Sequence, residues 1–578
     1  MAIKEAIQDA IHDSPRVLIN TVSGHLFHKS EQANAFESLP DFNKLISSMT
    51  THIDHVQIKQ DVTKYYRYGM FSHKWEKREP LFKEVIDKDV YGLEESPMHN
   101  KLKMFCKIVQ NGGLNWAWSD TCCINQEDPT VLQEALVSMF KWYEGSALTV
   151  VYLRDVPLRR LADSIWNRRA WTLQEYHASK VVRFYNKDWT LYKNINIPNH
   201  KDSPEILAEM GEATGISASA LMTLRPGPED IREKLRLAST RQSTRVEDAA
   251  YSLFGIFSVS LSAVYGEGNQ ALGRLLAQVL MGSGDTSVLA WTGRSGGFNS
   301  CLPAQISAFN KSPTLHIPLA WDMIPGRSRN SSLDLAAVTR LYDRLRDLPI
   351  PFFVGKRMRL PCIIFKLGPL SLLRNRSERV FHAQTAMLGV VEIKTEIDLS
   401  QLDSPCLIHP WIDFLLDRQP VGSVIGTIPE ATQSLPIERL PPFSETEGDM
   451  HDQYPSIRRS SSSPGPSNAI PPVPKRRIPG LASRFGLSFS GRSATHSRDA
   501  ASLRPPSTLA QSDKQMLALR VIARLRQPFG ALLLTPSSGN VAAYRRVAPE
   551  SLITVQVEEI TPAILDKLMD SVRVLDVL

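Results

Sequence analysis

The stretch Lys101–Val156 decides the fold, and it reads KLKMFCKIVQNGGLNWAWSDTCCINQEDPTVLQEALVSMFKWYEGSALTVVYLRDV. Its first part has apolar residues at helical spacing and stops at a Gly-Gly pair, which predicts a helix. A short aromatic strand, Asn115–Ser119, follows. A second amphipathic helix, with an Asp-Pro pair just ahead of it, then leads into the apolar strand Leu148–Leu153.

Strands that alternate with helices of this length indicate βαβ units with right-handed crossovers. Two further strands, Tyr66–Ser72 and Val181–Tyr185, flank the central stretch. The sequence therefore predicts a small Rossmann-like α/β domain, with a mainly parallel sheet flanked by helices. The polar loop after Asn115–Ser119 is expected at the carboxyl edge of this sheet, where open α/β folds place their sites.

Composition restricts the class of protein. The chain has 578 residues, of which 42% are hydrophobic and 22% charged, with a net charge of +7. These values are ordinary for a soluble globular protein of roughly three to four folded units. The six cysteines form no CxxC pair, and the charged N-terminus has no signal-peptide core, so we expect a reduced, cytoplasmic location. The sequence has no apolar run of about 18 residues, so a membrane span is not predicted.

Changes in composition along the chain predict six segments. They are an N-terminal lead-in of helical and irregular character (1–64), the α/β domain (65–195), a helical region (196–292), a β-rich module (293–440), a disordered Ser/Pro/Arg-rich linker (441–512) and a small C-terminal α/β segment (513–578). The helical region is expected to end in a strand at Val288–Thr292.

The linker has an unusual charge balance, with nine Lys or Arg residues from Arg458 to Ser512 against one acidic residue. Such a segment cannot bury enough apolar surface to fold alone. Pro474–Arg477 could serve as a nuclear-import patch, and Pro471–Arg476 as a Pro-rich ligand for a protein partner. A solvated linker is the favoured interpretation, and no nucleic-acid-binding pattern is evident.

Polar and acidic residues follow the predicted strands. Ser72, Asp120 and Gln126 are placed at strand ends of one sheet edge, where they could bind a ligand or cap helices and hold loops. Glu175, beside Gln174 on a predicted helix, is the best candidate for an acid. Its carboxylate could hold a ribose diol or stabilise the cation formed when a glycosidic bond breaks.

The alternative for Glu175 is an exposed helix residue paired with Lys180 or Arg169. Other chemistries have weaker support. Cys122 and Cys123 with a histidine could suggest a thiol nucleophile, but buried cysteines are usually inert and the spacing does not suit zinc. GxGxxG and P-loop motifs are absent from the sequence, so classical dinucleotide and P-loop sites are not expected.

Four motifs together resemble the fungal heterokaryon-incompatibility (HET) domain family. They are YGMFSHKW (Tyr68–Trp75), WAWSDTCCINQ (Trp116–Gln126), ALVSMFKWYEGSALTVVYLRDV (Ala135–Val156) and RRAWTLQEY (Arg168–Tyr176). The blocks STRQSTRVEDAAYSLFGIFSV and YGEGNQAL resemble members from mushroom-type (basidiomycete) fungi. The likeness extends from about Tyr66 to Phe309. Glu76 departs from the family pattern, in which many members have Gly.

The resemblance implies an intracellular protein of fungal non-self recognition and programmed cell death, with a fold similar to the flavodoxin-like Toll/interleukin-receptor (TIR) domain. Many TIR relatives cleave NAD with a Glu shortly after a Trp, and WTLQE (Trp171–Glu175) is similar. This analogy makes Glu175 the expected catalytic residue and NAD the expected substrate. The residues expected to bind it are Ser72, Trp75, Asp120, Asn125, Gln126, Trp171 and Gln174. No resident cofactor or metal is expected.

Two functions therefore remain. One is a signalling module that assembles with protein partners, including further copies of itself through the HET domain. The other is a nucleotide glycosidase. A concave edge with Glu175 beside Asp120 or Ser72 would favour the enzyme, whereas an edge filled by its own aromatic side chains would favour the scaffold.

Overall fold

The computed structural model of the chain describes residues 2–39, 42–43, 46–47, 54–311, 334–374, 379–411, 511–537, 540–548 and 550–578. All of these residues belong to one compact unit. The predicted linker, residues 441–512, falls outside the described residues except for its last two positions. Its predicted disorder, and the roles considered for 471–476 and 474–477, therefore stay predictions.

The N-terminal half of the unit is built on a six-stranded sheet with the strand order β2-β1-β4-β3-β5-β6. Its strands are β1 (Val17–Asn20), β2 (Leu26–His28), β3 (Tyr68–His73), β4 (Trp116–Trp118), β5 (Leu148–Tyr152) and β6 (Val182–Tyr185). The four strands β3 to β6 are parallel neighbours, as predicted from the sequence. Their ends differ from the predicted ends by at most two residues.

Two antiparallel strands make this sheet mixed rather than uniformly parallel. β1 pairs antiparallel with both β2 and β4. The sequence predicted only helical and irregular chain in this N-terminal segment. With four and three residues, β1 and β2 are too short to display the alternation that identifies a strand.

Seven helices accompany this sheet in the described residues: α1 (Ala2–His12), α2 (Lys29–Glu37), α3 (His55–Tyr65), α4 (Phe82–Val85), α5 (Pro97–Asn111), α6 (Pro129–Gly145) and α7 (Thr172–Ala178). The side chain of Asp128 accepts hydrogen bonds from the amides of Thr130 and Val131 and so caps α6. Helix α5 packs so closely on β3 that a Cβ on Gly69 would lie 2.7 Å from a methyl carbon of Val109. Only glycine fits at that point of the strand.

A helical region follows the sheet and comprises α8 (Pro204–Thr214), α9 (Ala218–Thr223), α10 (Ile231–Ser239), α11 (Asp248–Tyr251) and α12 (Gln270–Ser283). The YGEG turn leads into α12, and Glu247 accepts hydrogen bonds from the amides of Gly266 and Gly268 in it. The predicted strand at Val288–Thr292 is wrong. A 3₁₀ helix, Thr286–Leu289, occupies its start because the side chain of Asp285 accepts from the amide of Ser287 and initiates a turn.

In the described residues, the C-terminal half contains a nine-stranded sheet and three helices. Its elements are β7 (Phe352–Val354), β8 (Arg357–Arg374), β9 (Arg379–Thr385), β10 (Gly389–Lys394), β11 (Cys406–Pro410), β12 (Phe529–Ser537), β13 (Asn540–Val547), β14 (Ile553–Val555), β15 (Val572–Val577), α13 (Leu335–Arg346), α14 (Gln511–Leu525) and α15 (Pro562–Ser571). Strands β8, β11, β12, β13 and β15 close a ring, because β15 pairs with the first half of β8. The second half of β8 leaves the ring and pairs with β9.

One buried arginine joins the C-terminal sheet to the helical region. Arg546 on β13 donates to the carbonyl oxygens of Leu289 at 2.7 Å and Trp291 at 2.9 Å. Its guanidinium also lies 3.9 Å from the centroid of the Trp291 ring. Within the described parts of the chain, no helix is both long and apolar enough to cross a membrane.

Candidate functional site

A hydrogen-bonded chain of three buried side chains lies at the carboxyl edge of the first sheet. Ser72, the penultimate residue of β3, donates from its hydroxyl to the Glu175 carboxyl at 2.5 Å. The indole nitrogen of Trp166 donates to the Ser72 hydroxyl oxygen at 2.8 Å. Glu175 is only 6% exposed, so the structure brings the predicted acid and a predicted edge residue together inside the protein.

A second pair lies at the end of the neighbouring strand. The Trp75 indole nitrogen donates to Asp120 Oδ2 at 2.7 Å. The other carboxyl oxygen, Oδ1, is buried and has no hydrogen-bond partner among the described residues. Asp120 therefore uses one oxygen to fix the Trp75 ring and presents the other to the interior of the edge.

Burial changes the protonation of both carboxyl groups. Desolvation, reinforced by the negative charge of Asp120, raises the pKa of Glu175 to about 8, although the Ser72 hydrogen bond opposes the shift. Desolvation also raises the pKa of Asp120 to about 6, against the hydrogen bond from Trp75. Near neutral pH, Glu175 is thus predominantly a neutral acid beside a predominantly ionised Asp120. Two carboxyl groups with separated pKa values are the usual basis for distinct acid and base roles.

Two arginines supply positive charge to the same cluster. Arg169 and Arg241 both lower the pKa of Glu175. Arg241 donates to the Arg169 carbonyl and to the Thr172 hydroxyl, each at 2.9 Å, and so ties the start of α7 to a residue of the helical region. The Nε of Arg169 is buried without a partner in the described residues.

The last residue of β3, His73, lies beside a buried ion pair. Lys101 on α5 donates to the Glu79 carboxylate, and the His73 Nε2 is 3.8 Å from the same carboxylate oxygen. Desolvation, together with the Lys101 charge, holds the pKa of His73 well below its usual value. His73 is therefore neutral, and neither ring nitrogen has a hydrogen-bond partner among the described residues.

The remaining predicted ligand-binding residues are dispersed. Gln174 is buried with both amide atoms unpartnered in the described residues. The side chain of Trp171 donates a hydrogen bond to the Asp248 carboxylate and so faces the helical region. Asn125 accepts from the amide of Glu127 at 3.2 Å and holds its own loop. Gln126 is exposed, and the hydrogen bonds of Ser72, Asp120 and Glu175 do not include it.

The carboxyl edge is closed over the Ser72–Glu175 pair, since Ser72 is 1% and Glu175 is 6% exposed. The interpretation of Glu175 as an exposed helix residue in an ion pair is wrong, because α7 turns it towards the end of β3. Cavities of about 390 and 350 Å³ open elsewhere in the described part of the chain, and neither is lined by Ser72, Asp120 or Glu175. Ser72 and Glu175 are hydrogen-bonded to each other and to Trp166 through Ser72, whereas Asp120 is hydrogen-bonded to Trp75.

Thiol and metal chemistry gain no support from the geometry. Cys122 and Cys123 are buried, and a hydrogen bond between them, together with burial, raises the pKa of Cys122 well above its usual value. A thiolate nucleophile is therefore disfavoured. Within the described residues, no group of three or more His, Cys, Asp or Glu side chains is arranged to hold a metal ion.

Sequence reasoning did not assign four members of the cluster to the site: Trp166, Arg241, Glu79 and Lys101. Arg241 lies inside the block STRQSTRVEDAAYSLFGIFSV, and Trp166 lies two residues before the RRAWTLQEY motif, so the motifs offered a signal for both residues. Glu79 and Lys101 carry no such signal. A Lys within an amphipathic helix is ordinarily solvated, and nothing local predicts its burial against a distant carboxylate.

Comparisons with known proteins point to one family. Residues 68–157 match the family model "Heterokaryon incompatibility protein (HET)". The chain is also 33% identical over 228 residues to "Vegetative incompatibility protein HET-E-1" of Podospora anserina. That alignment covers 37% of this chain and 16% of the relative, so the chain spans about a sixth of the length of HET-E-1. No solved structure matches the chain.

The matched residues 68–157 include strands β3, β4 and β5 and therefore Ser72, Trp75 and Asp120. Glu175 and Trp166 follow the match directly. Over residues 68–157, the chain is thus similar to the heterokaryon-incompatibility (HET) family.

Proposed function

We propose that this chain is an intracellular effector of fungal vegetative incompatibility, whose HET domain assembles with protein partners during non-self recognition and so triggers programmed cell death. Further copies of the chain are included among these partners. The name of its relative HET-E-1, a vegetative incompatibility protein, supports this role. The similarity covers only part of each chain, so the trigger and the partner are matters for experiment.

The observation that carries the proposal is the closed carboxyl edge. The Ser72, Trp166 and Glu175 side chains satisfy one another, and Glu175 is 6% exposed. A site that turns over a dinucleotide needs an accessible concave surface. An edge filled by its own indole rings is instead suited to hold a rigid surface for contact with other proteins.

A second function, cleavage of NAD by a TIR-like mechanism, is favoured by one specific observation. The parallel strands occur in the order β4-β3-β5-β6, which corresponds to the order 2-1-3-4 of flavodoxin-like sheets. In such sheets ligands bind outside the carboxyl ends of the strands at the switch point, here between β3 and β5. Ser72 and its partner Glu175 lie at that end of β3. This function requires the edge to open, because hydration would lower the raised pKa of Glu175 and leave a carboxylate that stabilises the developing oxocarbenium ion.

One experiment separates the two functions. Purified full-length protein is incubated with NAD, nicotinamide release is followed with time, and the native and Glu175→Gln forms are expressed in a fungal host to score cell death. An enzyme should lose roughly a hundredfold or more of its turnover in the variant, because the carboxylate stabilises charge in the transition state.

The outcomes are distinct. Loss of nicotinamide release together with loss of killing identifies the enzyme. Killing by both forms without release from either supports the assembling scaffold. Sedimentation of the native protein over a range of concentrations then tests self-association directly, and a strictly monomeric killer would contradict that part of the proposal.

A further inference from the structure

A cavity of about 390 Å³ lies at the opposite end of the sheet from the Ser72–Glu175 pair. It opens between α6, α7, the turn at residues 199–202 and the end of α9. Asn199 marks its position, because its side chain accepts from the amide of Val182, the first residue of β6. The volume is within the range of small-molecule sites, roughly 300–1,000 Å³.

One wall of this cavity holds a cation without an acidic partner. The Lys201 ammonium donates to the Ser179 carbonyl oxygen at 2.5 Å and lies 4.5 Å from the centroid of the Tyr176 ring. Among the described residues, no carboxylate forms a salt bridge with it. An ammonium has three donors, so Lys201 retains hydrogen-bonding capacity towards the cavity. Burial lowers its pKa to about 8, although the negative charge of Asp202 opposes the shift.

The charges around Lys201 favour an anion over a cation. Lys180 and Arg225 also line the cavity, and Glu144 and Asp202 are the acidic residues that do so. Both acidic residues and both of these basic residues are exposed at the rim, whereas Lys201 is partly buried. The interior of the cavity is therefore positive, while its rim is of mixed charge.

Apolar side chains complete the lining. Phe140, Tyr176 and Leu221 are buried side chains of the lining, and Leu224 and Pro226 continue it towards the surface. We propose that this cavity binds a small amphiphilic anion, with its anionic head on the Lys201 ammonium and its apolar body against Phe140, Tyr176 and Leu221. This site is separate from the carboxyl edge and does not depend on either function proposed above.

A purely structural role for Lys201 is the competing explanation. Ser179 directly follows α7, and its carbonyl is one of the unsatisfied acceptors at a helix C-terminus that lysines often cap. In that case Lys201 would stabilise α7 and contribute nothing to ligand affinity.

The test uses two naphthyl probes of similar size on the full-length protein. 1-Anilinonaphthalene-8-sulfonate has an anionic head, and N-phenyl-1-naphthylamine is uncharged. Fluorescence titration should give saturable binding of both to the native chain. Lys201→Met should weaken binding of the sulfonate by about tenfold or more, because a partly desolvated charge pair is lost, and should leave the uncharged probe within about twofold.

Three further variants control the measurement. Lys201→Arg keeps the charge and should retain the sulfonate affinity within about threefold. Lys187→Met removes an exposed cation outside the cavity and should change neither probe. Leu221→Trp fills the apolar end and should weaken binding of both probes. A thermal melt of each variant establishes that it is folded.

Displacement of the bound sulfonate probe by decanoate and by decyl phosphate then identifies the preferred head group. Displacement by either compound supports the proposal. The proposal is overturned if neither displaces the probe, or if Lys201→Met leaves the sulfonate affinity unchanged. It is equally overturned if Lys201→Met weakens both probes alike, or if both probes bind Leu221→Trp as tightly as the native chain.

Discussion

The hydroxyl of Ser72 and the carboxyl of Glu175 are 2.5 Å apart, although 103 residues separate them in the sequence. The bond joins the end of β3 to α7 and so links the matched HET region to a helix that follows it. Because Trp166 donates to the same hydroxyl, one small side chain organises two larger ones. The positions of the Trp166 and Glu175 side chains at the carboxyl edge therefore both depend on the Ser72 hydroxyl.

Replacing Ser72 with alanine should destabilise the protein by roughly 2–4 kcal/mol. The Trp166 N–H and the Glu175 carboxyl would both remain buried and each would lose a partner, at about 1–3 kcal/mol per unsatisfied group. The free energy of unfolding from urea titration measures the effect. The exposed Ser260→Ala is the control and should lie within about 0.5 kcal/mol of the native protein. An equally small effect at Ser72 would mean that ordered water replaces the hydroxyl.

The stability should depend on pH through Glu175. Because its pKa is raised in the folded state to about 8, the folded protein binds this proton more tightly than the unfolded chain. The resulting stabilisation is fully present below the unfolded pKa of about 4.5 and is lost as the pH rises towards about 8. Glu175→Gln has no such proton. As the pH rises between these values, the unfolding free energy of the native protein should therefore fall relative to that of the variant, by up to about 1.4 kcal/mol per pH unit.

Urea unfolding of both forms at pH 5, 6.5 and 8 checks this expectation. Asp120 also titrates in this window, with a pKa of about 6, but it is present in both proteins and largely cancels in the difference. The exposed Glu229→Gln should show a difference that does not vary with pH. If the difference in unfolding free energy between Glu175→Gln and the native protein does not vary with pH, the raised pKa of Glu175 is contradicted.

The buried ion pair beside His73 should respond strongly to the loss of one partner. Lys101 and Glu79 are each 3% exposed at their side chains. Lys101→Met leaves the Glu79 carboxylate buried without its cation, which typically costs about 3–5 kcal/mol. The double variant Lys101→Met/Glu79→Gln should recover part of that loss, because it removes the uncompensated charge. Denaturant unfolding measures both, and Lys107→Met, exposed on the same helix, is the control.

The attachment of the C-terminal sheet should depend on Arg546. Lysine at this position cannot reach both carbonyl groups and stack on Trp291, so we expect Arg546→Lys to cost roughly 2–4 kcal/mol. Hydrogen exchange at the amides of residues 289–301 should accelerate in the variant. The neighbouring Arg545 is exposed, which makes Arg545→Lys a matched control with native exchange. Unchanged exchange in Arg546→Lys would show that other contacts suffice.

Much of the first sheet could be predicted because its strands are apolar and lie next to clear helix signals. Leu148–Tyr152 and Trp116–Trp118 occur where the sequence places them. The antiparallel pair β1 and β2 could not be predicted, because three or four residues are too few to show the alternation of apolar and polar side chains that identifies a strand. The closed ring of the C-terminal half was also beyond local patterns, since Cys406 pairs with Leu534 across more than a hundred residues of chain.

The candidate site was predicted in part. The carboxyl-edge rule placed Ser72 and Asp120 correctly at the ends of neighbouring strands. It could not predict that Glu175 is buried, because TLQEYHA has polar residues on every face and its orientation is set by contacts with β3 and the helical region. Gln126 shows the limit of the rule, since a residue in the loop beyond a strand is free to face solvent. The assignment to a mushroom-type subgroup stays a prediction.

The pairing of β1 with β4 has a practical consequence for isolating the HET region. The family match begins at residue 68 and ends at residue 157, so it omits β1, β2 and β6. A fragment trimmed to those limits would expose the backbone donors and acceptors of β4 on one side and of β5 on the other. Unprotected borders of this kind recruit strands from neighbouring molecules. Aggregation of such a fragment would therefore result from the missing strands β1, β2 and β6, and it would say nothing about physiological self-assembly.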